Sequence, residues 1–200
     1  MQNSVIDKEL LCQQYLHLLY QDKKGHREQS TSQRVISESY GEILYPGVNK
    51  LLSLLALTNE DYFVDVGSGL GKLAMQVFLN SAVKKVYGIE LIPELHQQAL
   101  LALQRLKHDL PEFYKEGRDL QFILGNFLEV PLPTATVMLI GSPCFSPNML
   151  DSLARVIEST TSIHTVLTLR PLCNLQRLSC KSMCRIEGSW DTALCYIYSA

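Results

Sequence analysis

The densest run of residues able to do chemistry is Val64-Asp65-Val66-Gly67-Ser68-Gly69-Leu70-Gly71. An apolar stretch runs into a glycine-rich turn, and the turn opens a helix. Glycine lets the backbone take positive φ and lets a ligand approach the main chain closely. The helix start behind it offers unpaired N–H groups and positive potential. Glu90 follows 25 positions after Asp65, at the end of the next apolar stretch. A carboxylate there can accept both hydroxyls of an adenosine ribose. The glycines are spaced Gly67-x-Gly69-x-Gly71, whereas a dinucleotide loop has the wider G-x-G-x-x-G spacing. Asp65 also stands ahead of the first glycine, where a carboxylate repels a pyrophosphate and suits a ligand with an ammonium group. S-adenosylmethionine is such a ligand: it has an ammonium, a sulfonium and no phosphate. The residues alone leave a second reading open, a tight strand-to-helix turn without a ligand.

Positioning these groups requires strands and helices in alternation. Apolar runs predict strands at Tyr62 to Val66, Lys85 to Ile89, Leu120 to Leu124, Thr136 to Ile140 and His164 to Leu169. Helical spacing of Leu and Val predicts helices over Val5 to Tyr20, Gly47 to Leu57, Leu70 to Asn80, Pro93 to Asp109 and Pro147 to Glu158. Pro93 suits a first helical turn. Met183 to Glu187 and Leu194 to Tyr198 read as a closing hairpin, and Gln21 to Ser39 as a polar loop or short helix. The predicted class is α/β: a Rossmann-like, mostly parallel sheet with helices on both faces and a C-terminal antiparallel hairpin. The chain divides into an N-terminal helical extension or cap, residues 1–37, and one ligand-binding domain, residues 38–200.

The 200 residues are 46% hydrophobic and 19% charged with a net charge of −2, a composition for one domain with a real core and not for a disordered chain. Lys and Arg are scattered, so a nucleic-acid face is not favoured. No apolar run approaches a membrane span. The six cysteines include no Cys-x-x-Cys pair and no secretory signal opens the chain, which predicts reduced thiols, no metal site and a cytoplasmic location. None of the five His falls at the carboxyl end of a strand. His164 reads as structural, and His96 and His108 as solvated on the long helix.

The motifs resemble those of Rossmann-like (class I) methyltransferases and, more narrowly, the disruptor-of-telomeric-silencing family of non-SET histone lysine methyltransferases. The matching segments are Tyr40-Gly41-Glu42, Phe63 to Gly71, Tyr87-Gly88-Ile89-Glu90, Gly125-Asn126-Phe127-Leu128 and Ser189-Trp190. The resemblance implies S-adenosylmethionine as cofactor. Glu42 would touch its amino-acid part, Asp65 and Gly67 would line the methionine, and Glu90 would hold the ribose. Asn126 would bond the adenine amino group where the family has Asp, and Phe127 would flank the adenine. Two positions depart from the family: Lys72 replaces a Gln, and Gly141 replaces the first Asn of Asn-Asn-Phe-x-Phe-Gly-Pro, where this chain reads Gly141-Ser142-Pro143-Cys144-Phe145-Ser146-Pro147.

Methyl transfer to a lysine requires a neutral amine, which a narrow apolar channel favours. Tyr40, Gly141 and Phe145 are the candidate channel residues. The expected function is transfer of a methyl group from S-adenosylmethionine to a protein lysine, with a protein substrate as partner. A small-molecule methyltransferase and a catalytically inactive scaffold of the same fold are the alternatives. The oligomeric state is left open.

Overall fold

The computed structural model describes residues 2–21, 41–132, 134–141 and 145–200, with side chains from residue 9 onward. One sheet holds seven strands: β1 (Tyr62–Val66), β2 (Lys85–Glu90), β3 (Asp119–Leu124), β4 (Val137–Ile140), β5 (Thr165–Thr168), β6 (Ser179–Glu187) and β7 (Thr192–Ser199). Their order across the sheet is β3-β2-β1-β4-β5-β7-β6. The first five run parallel, and β7 enters antiparallel between β5 and β6. Among the described residues five α-helices accompany them: α1 (Gln2–Tyr20), α2 (Tyr45–Leu54), α3 (Lys72–Asn80), α4 (Pro93–Asp109) and α5 (Pro147–Ser159).

Alternation along each central strand sorts side chains into two cores. Phe63 of β1 with Val137 and Leu139 of β4 face the layer built by α1, α3 and α4. Val64 and Val66 of β1 with Met138 and Ile140 of β4 face the layer of α5. Burial on both faces explains why β4 is wholly apolar. Side chains such as Phe63, Phe78, Leu106 and Ile157 are almost fully enclosed, each worth roughly 1.5–3 kcal/mol in transfer from water. Helix α1 joins the first core through Cys12, Leu16, Leu19 and Tyr20.

Most element boundaries shift by a few residues from the sequence expectation, and the following differences bear on the site or on the sheet. The helix expected from Leu70 starts at Lys72, because Gly71 is left-handed (φ 81°). The helix expected over Gly47 to Leu57 runs from Tyr45, with Pro46 in its first turn, and ends where Leu55 turns extended. Strand β6 begins at Ser179, four residues before the expected Met183, with a register slip between Cys180 and Ser182. A short 3-10 turn, Pro111–Gly117, was not expected at all. The segment Gln21 to Ser39 lies outside the described residues, apart from Gln21 itself.

The strand order reverses between β1 and β4: the chain leaves β1 toward β2 and β3, then returns to place β4 on the other side. In such sheets ligands bind outside the carboxyl ends of the strands at this switch point. The glycine loop follows β1, Glu90 ends β2 and Gly141 follows β4, so the topology brings all three to one crevice.

Candidate active site

Three glycines of the loop take positive φ: Gly67 at 79°, Gly69 at 54° and Gly71 at 81°. Gly67 N and Ser68 N donate to Ile89 O at 2.9 and 3.0 Å, lashing the turn to β2. Gly71 also has a steric reason, since a Cβ there would run into the Phe122 ring. The Glu90 carboxylate is buried and held from both sides. Gly69 N donates to its Oε2 at 2.7 Å and Ile92 N to its Oε1 at 2.8 Å. Two backbone donors fix the carboxylate and leave further lone pairs for hydroxyl donors.

Asp65 is buried at 3% exposure. Among the described residues no donor reaches its carboxylate. Burial, reinforced by the nearby Glu90 charge, raises its pKa to about 7. An unpartnered carboxylate of this kind is stabilised by a cation that enters the crevice.

The segment from Gly41 to Leu44 forms the rim, held by the β6–β7 turn. Glu42 N donates to Ser189 Oγ at 3.0 Å, and Ser189 N returns a bond to Glu42 O at 2.8 Å. Leu44 N donates to Glu187 O, and Ile43 bridges Gly188. The Trp190 ring lies where a Cβ on Gly41 would be. The distant Ser189-Trp190 match thus has a structural role: these residues fasten the rim. Glu42 then pairs with Lys72 Nζ at 2.7 Å. The resulting cleft is lined by Glu42, Asp65, Gly67, Gly69, Lys72 and Gly141, among others. Beneath it Tyr20 of α1 donates to Leu70 O at 2.8 Å, so the N-terminal helix supports the glycine loop.

Asn126 and Phe127, expected beside the adenine, sit in the turn that follows β3. Asn126 turns its amide onto its own turn, with Oδ1 accepting Leu128 N at 3.1 Å and Nδ2 donating to Glu129 Oε1 at 3.0 Å. Phe127 stacks on Phe145 with ring centroids 5.3 Å apart. Phe145 also faces Gly67. Arg170 donates to Phe145 O at 2.6 Å and anchors this segment to the end of β5. Of the acceptor residues, Gly141 and Phe145 come to the crevice, while Tyr40 and the segment 142–144 lie outside the described residues. His96 departs from its expected solvated state: its Nδ1 is buried and, among the described residues, unpartnered, and burial lowers its pKa against the pull of Glu90. His164 is structural as expected and bonds Asp61 at 3.1 Å.

Sequence reading did not assign Lys72 to Glu42, nor Tyr20 and Arg170 to the site. Tyr20 was within reach, since its spacing from Leu16 puts it on the buried helix face. Arg170 was not, because its partner is a backbone carbonyl 25 positions away.

The residues present fit S-adenosylmethionine at its polar end. Asp65 offers the vacant anionic partner an ammonium needs, and Glu90 offers a fixed acceptor for hydroxyls. Strand order, glycine loop and terminal carboxylate together define a class I, Rossmann-like methyltransferase fold. Mycoplasma capricolum TrmK, solved in complex with S-adenosylhomocysteine, shares it at a TM-score of 0.53 with 13% identity, over 76% of this chain and 66% of that one. The sequence profile described as "Histone methylation protein DOT1" matches residues 26–188, and the chain belongs to this family. Its relatives include histone-lysine N-methyltransferases described as H3 lysine-79 specific. The one from Cryptococcus neoformans is 26% identical over 163 residues, 78% of this chain and 25% of that protein. The one from Caenorhabditis elegans is 31% identical over 116 residues, 54% of this chain and 12% of that protein. The chain thus spans a quarter or less of the length of these two relatives.

Proposed function

We propose that the protein transfers a methyl group from S-adenosylmethionine to the side-chain amine of a protein lysine, with histone H3 as the first substrate to test. The observation that carries this reading is the pair of buried carboxylates at the strand ends: Asp65 lacks a described donor, and Glu90 is held by two. Family membership supports the choice of donor and acceptor.

When bound, the cofactor supplies an electrophilic methyl on a positive sulfur. The protein's part is positional. Asp65 would hold the ammonium, Glu90 the ribose hydroxyls, and the turn from Gly67 to Gly71 would let the ligand lie against the backbone. Phe145 and Phe127 form an aromatic wall that limits water at the acceptor side. No base among the described residues stands beside Gly141 and Phe145, so the amine must shed its proton on entering an apolar path.

The compartment belongs to the proposal. Cys173 and Cys180 are free and exposed, which suits a reducing one. The cytoplasm is the sequence-based reading, whereas a histone substrate in chromatin requires the nucleus, and cell fractionation distinguishes them.

The test is methyl transfer from labelled cofactor to free histones, nucleosomes and a whole-protein extract, read by mass spectrometry at lysine. Wild type and Gly141→Asn are compared, since among the described residues an Asn Cβ would press on a terminal methyl of Leu139. Lysine methylation by wild type, raised in the Asn variant, supports the proposal. Tight cofactor binding with no transfer by either protein leaves the inactive-scaffold reading.

A further inference from the structure

Two thiols face each other across the closing hairpin. Cys184 of β6 stands directly opposite Cys195 of β7 in the antiparallel register, and both are free. Cys195 is buried in the core that includes Val48 and Leu51 of α2, and the half-buried Cys184 packs against the same core. Directly opposed residues on antiparallel strands have Cα atoms roughly 4.5–5.5 Å apart, inside the range of roughly 4.4–6.8 Å that a disulfide spans. The thiols are already in contact, the Cys195 S–H donating to the Cys184 sulfur. They are also unequal. Cys184 is the more accessible, and the Lys50 ammonium and the Cys195 S–H favour its thiolate, although burial outweighs both and raises its pKa. Burial pushes the Cys195 thiol up to about 12.

The pair sits between a weak point of the hairpin and its working end. Toward the start of β6 the register slips between Cys180 and Ser182. Toward the turn, Glu187 O accepts Leu44 N and Ser189 holds Glu42, fastening the rim. A one-residue slip of a strand turns its side chains to the opposite face, so a covalent link at Cys184 and Cys195 would pin the register between slip and rim. We propose that Cys184 and Cys195 are a redox pair, which a hydroperoxide closes into a cross-strand disulfide that locks the arm holding the rim. The Cys184 thiolate attacks the peroxide: an S–O bond forms, the O–O bond breaks, and hydroxide leaves and is protonated to water. The Cys195 sulfur then attacks the Cys184 sulfenic acid. The S–S bond forms, the S–O bond breaks, and the departing hydroxide takes the Cys195 proton. Two thiols and one hydrogen peroxide give one disulfide and two waters, the sulfurs losing the two electrons that the peroxide gains. Burial makes the closure slow, and a dithiol reverses it.

The test treats the whole chain with hydrogen peroxide, then with dithiothreitol, and follows each step by non-reducing peptide mapping in a mass spectrometer and by thermal unfolding. The Cys184–Cys195 cross-link should form, disappear with dithiothreitol, and raise the melting temperature by about 5 °C while present, the scale for closing a short loop. Cys184→Ser should lose both the cross-link and the rise. The double variant Cys173→Ser, Cys180→Ser removes two exposed thiols and should keep both. Oxidation confined to Cys173 and Cys180, or Cys184 passing on to sulfinic acid without a cross-link, overturns the proposal. So does a cross-link that leaves the melting temperature unchanged, since the register would then not be pinned by it. The mapping of wild type decides the pairing even if Cys184→Ser does not fold.

Discussion

Two buried aspartates sit at opposite ends of one strand and live in opposite worlds. Asp61, just before β1, is saturated with donors. Thr58 N and Thr58 Oγ1 reach its Oδ2 at 2.8 and 2.9 Å, and Thr136 Oγ1 and His164 Nε2 reach its Oδ1 at 2.8 and 3.1 Å. Burial alone would raise its pKa, but these bonds outweigh burial and hold it below the usual value. Asp65, near the other end of β1, has no described donor and titrates near 7. The first carboxylate staples the amino ends of β1, β4 and β5. The second is left uncompensated where strands end and a ligand enters. A buried charge without partners destabilises a fold, so its presence at the switch point argues for a partner that arrives from outside.

The largest expected effect comes from neutralising each aspartate in turn. Asp65→Asn should weaken S-adenosylmethionine about 100-fold or more, the scale for truncating one member of a buried charge pair. It should also raise the ligand-free melting temperature by a few degrees, because an ionised group no longer has to be buried near neutral pH. Asp61→Asn should do the reverse. Its amide would point donors at donors, costing on the order of 2 kcal/mol, or about 5 °C in a chain of this size, with ligand affinity unchanged. Calorimetry and thermal unfolding on both variants check the crossing. If both lose stability and neither loses binding, the contrast between the two carboxylates is wrong.

The same contrast should appear in pH dependence. Asp65 has a raised folded-state pKa, so the ligand-free fold retains a proton that the unfolded chain gives up. Its contribution favours folding at low pH and is lost as pH rises from about 4 through 7. Ligand binding needs the ionised form, so affinity should climb with pH and level off above 7. Between pH 6 and pH 8 a gain of about tenfold is expected, with proton release visible in calorimetry across buffers. Asp61 has a lowered pKa, so its stabilisation is present at neutral pH. That stabilisation is lost only as pH falls through its folded-state value, below the ordinary carboxylate range. A binding profile flat from pH 6 to 8 would place Asp65 outside the ligand site.

How much of this was legible beforehand follows from the range of the interactions. Strand and helix succession reads from local periodicity, and the burial of Phe63 and Val64 on opposite faces repeats it. Glu90 was legible because the end of β2 and the glycine loop are adjacent by topology. The inward turn of the Asn126 amide was not, since it depends on Glu129 and Leu128 closing a turn. The Phe127–Phe145 stack joins two loops after different strands, and the Lys72–Glu42 pair spans 30 positions. Neither leaves a periodic trace. Asp61 drew no attention because Asp within a polar break looks solvated; its donors come from Thr58, Thr136 and His164, and only the fold assembles them.

Trp190 allows a finer break of the contrast, because it fastens the rim through Gly41. Trp190→Ala should loosen the segment holding Glu42 and admit water to Asp65. The pH midpoint of binding should then move down toward ordinary carboxylate values. Affinity at pH 8 should fall by roughly tenfold, about 1.4 kcal/mol. The Asp61 end should not respond, and acid stability should match wild type. A midpoint that stays near 7 would mean that the carboxylate is kept dry by β2 and β4 alone.

The smallest effect concerns a single bond on the saturated side. His164 is half exposed and gives Asp61 one of its four bonds. Removing it in His164→Ala should cost only about 0.5–1 kcal/mol, as for one ordinary hydrogen bond. The three threonine bonds remain, so the Asp61 pKa should rise modestly and stay below that of Asp65. The two aspartates therefore differ in the number of donors each receives as well as in depth. Removing donors from Asp61 one at a time, first His164 and then the Thr136 hydroxyl through Thr136→Val, should walk its titration upward. A single loss at His164 that carries Asp61 as high as Asp65 would show that the histidine's charge, rather than the accumulated bonds, separates the two ends of the strand.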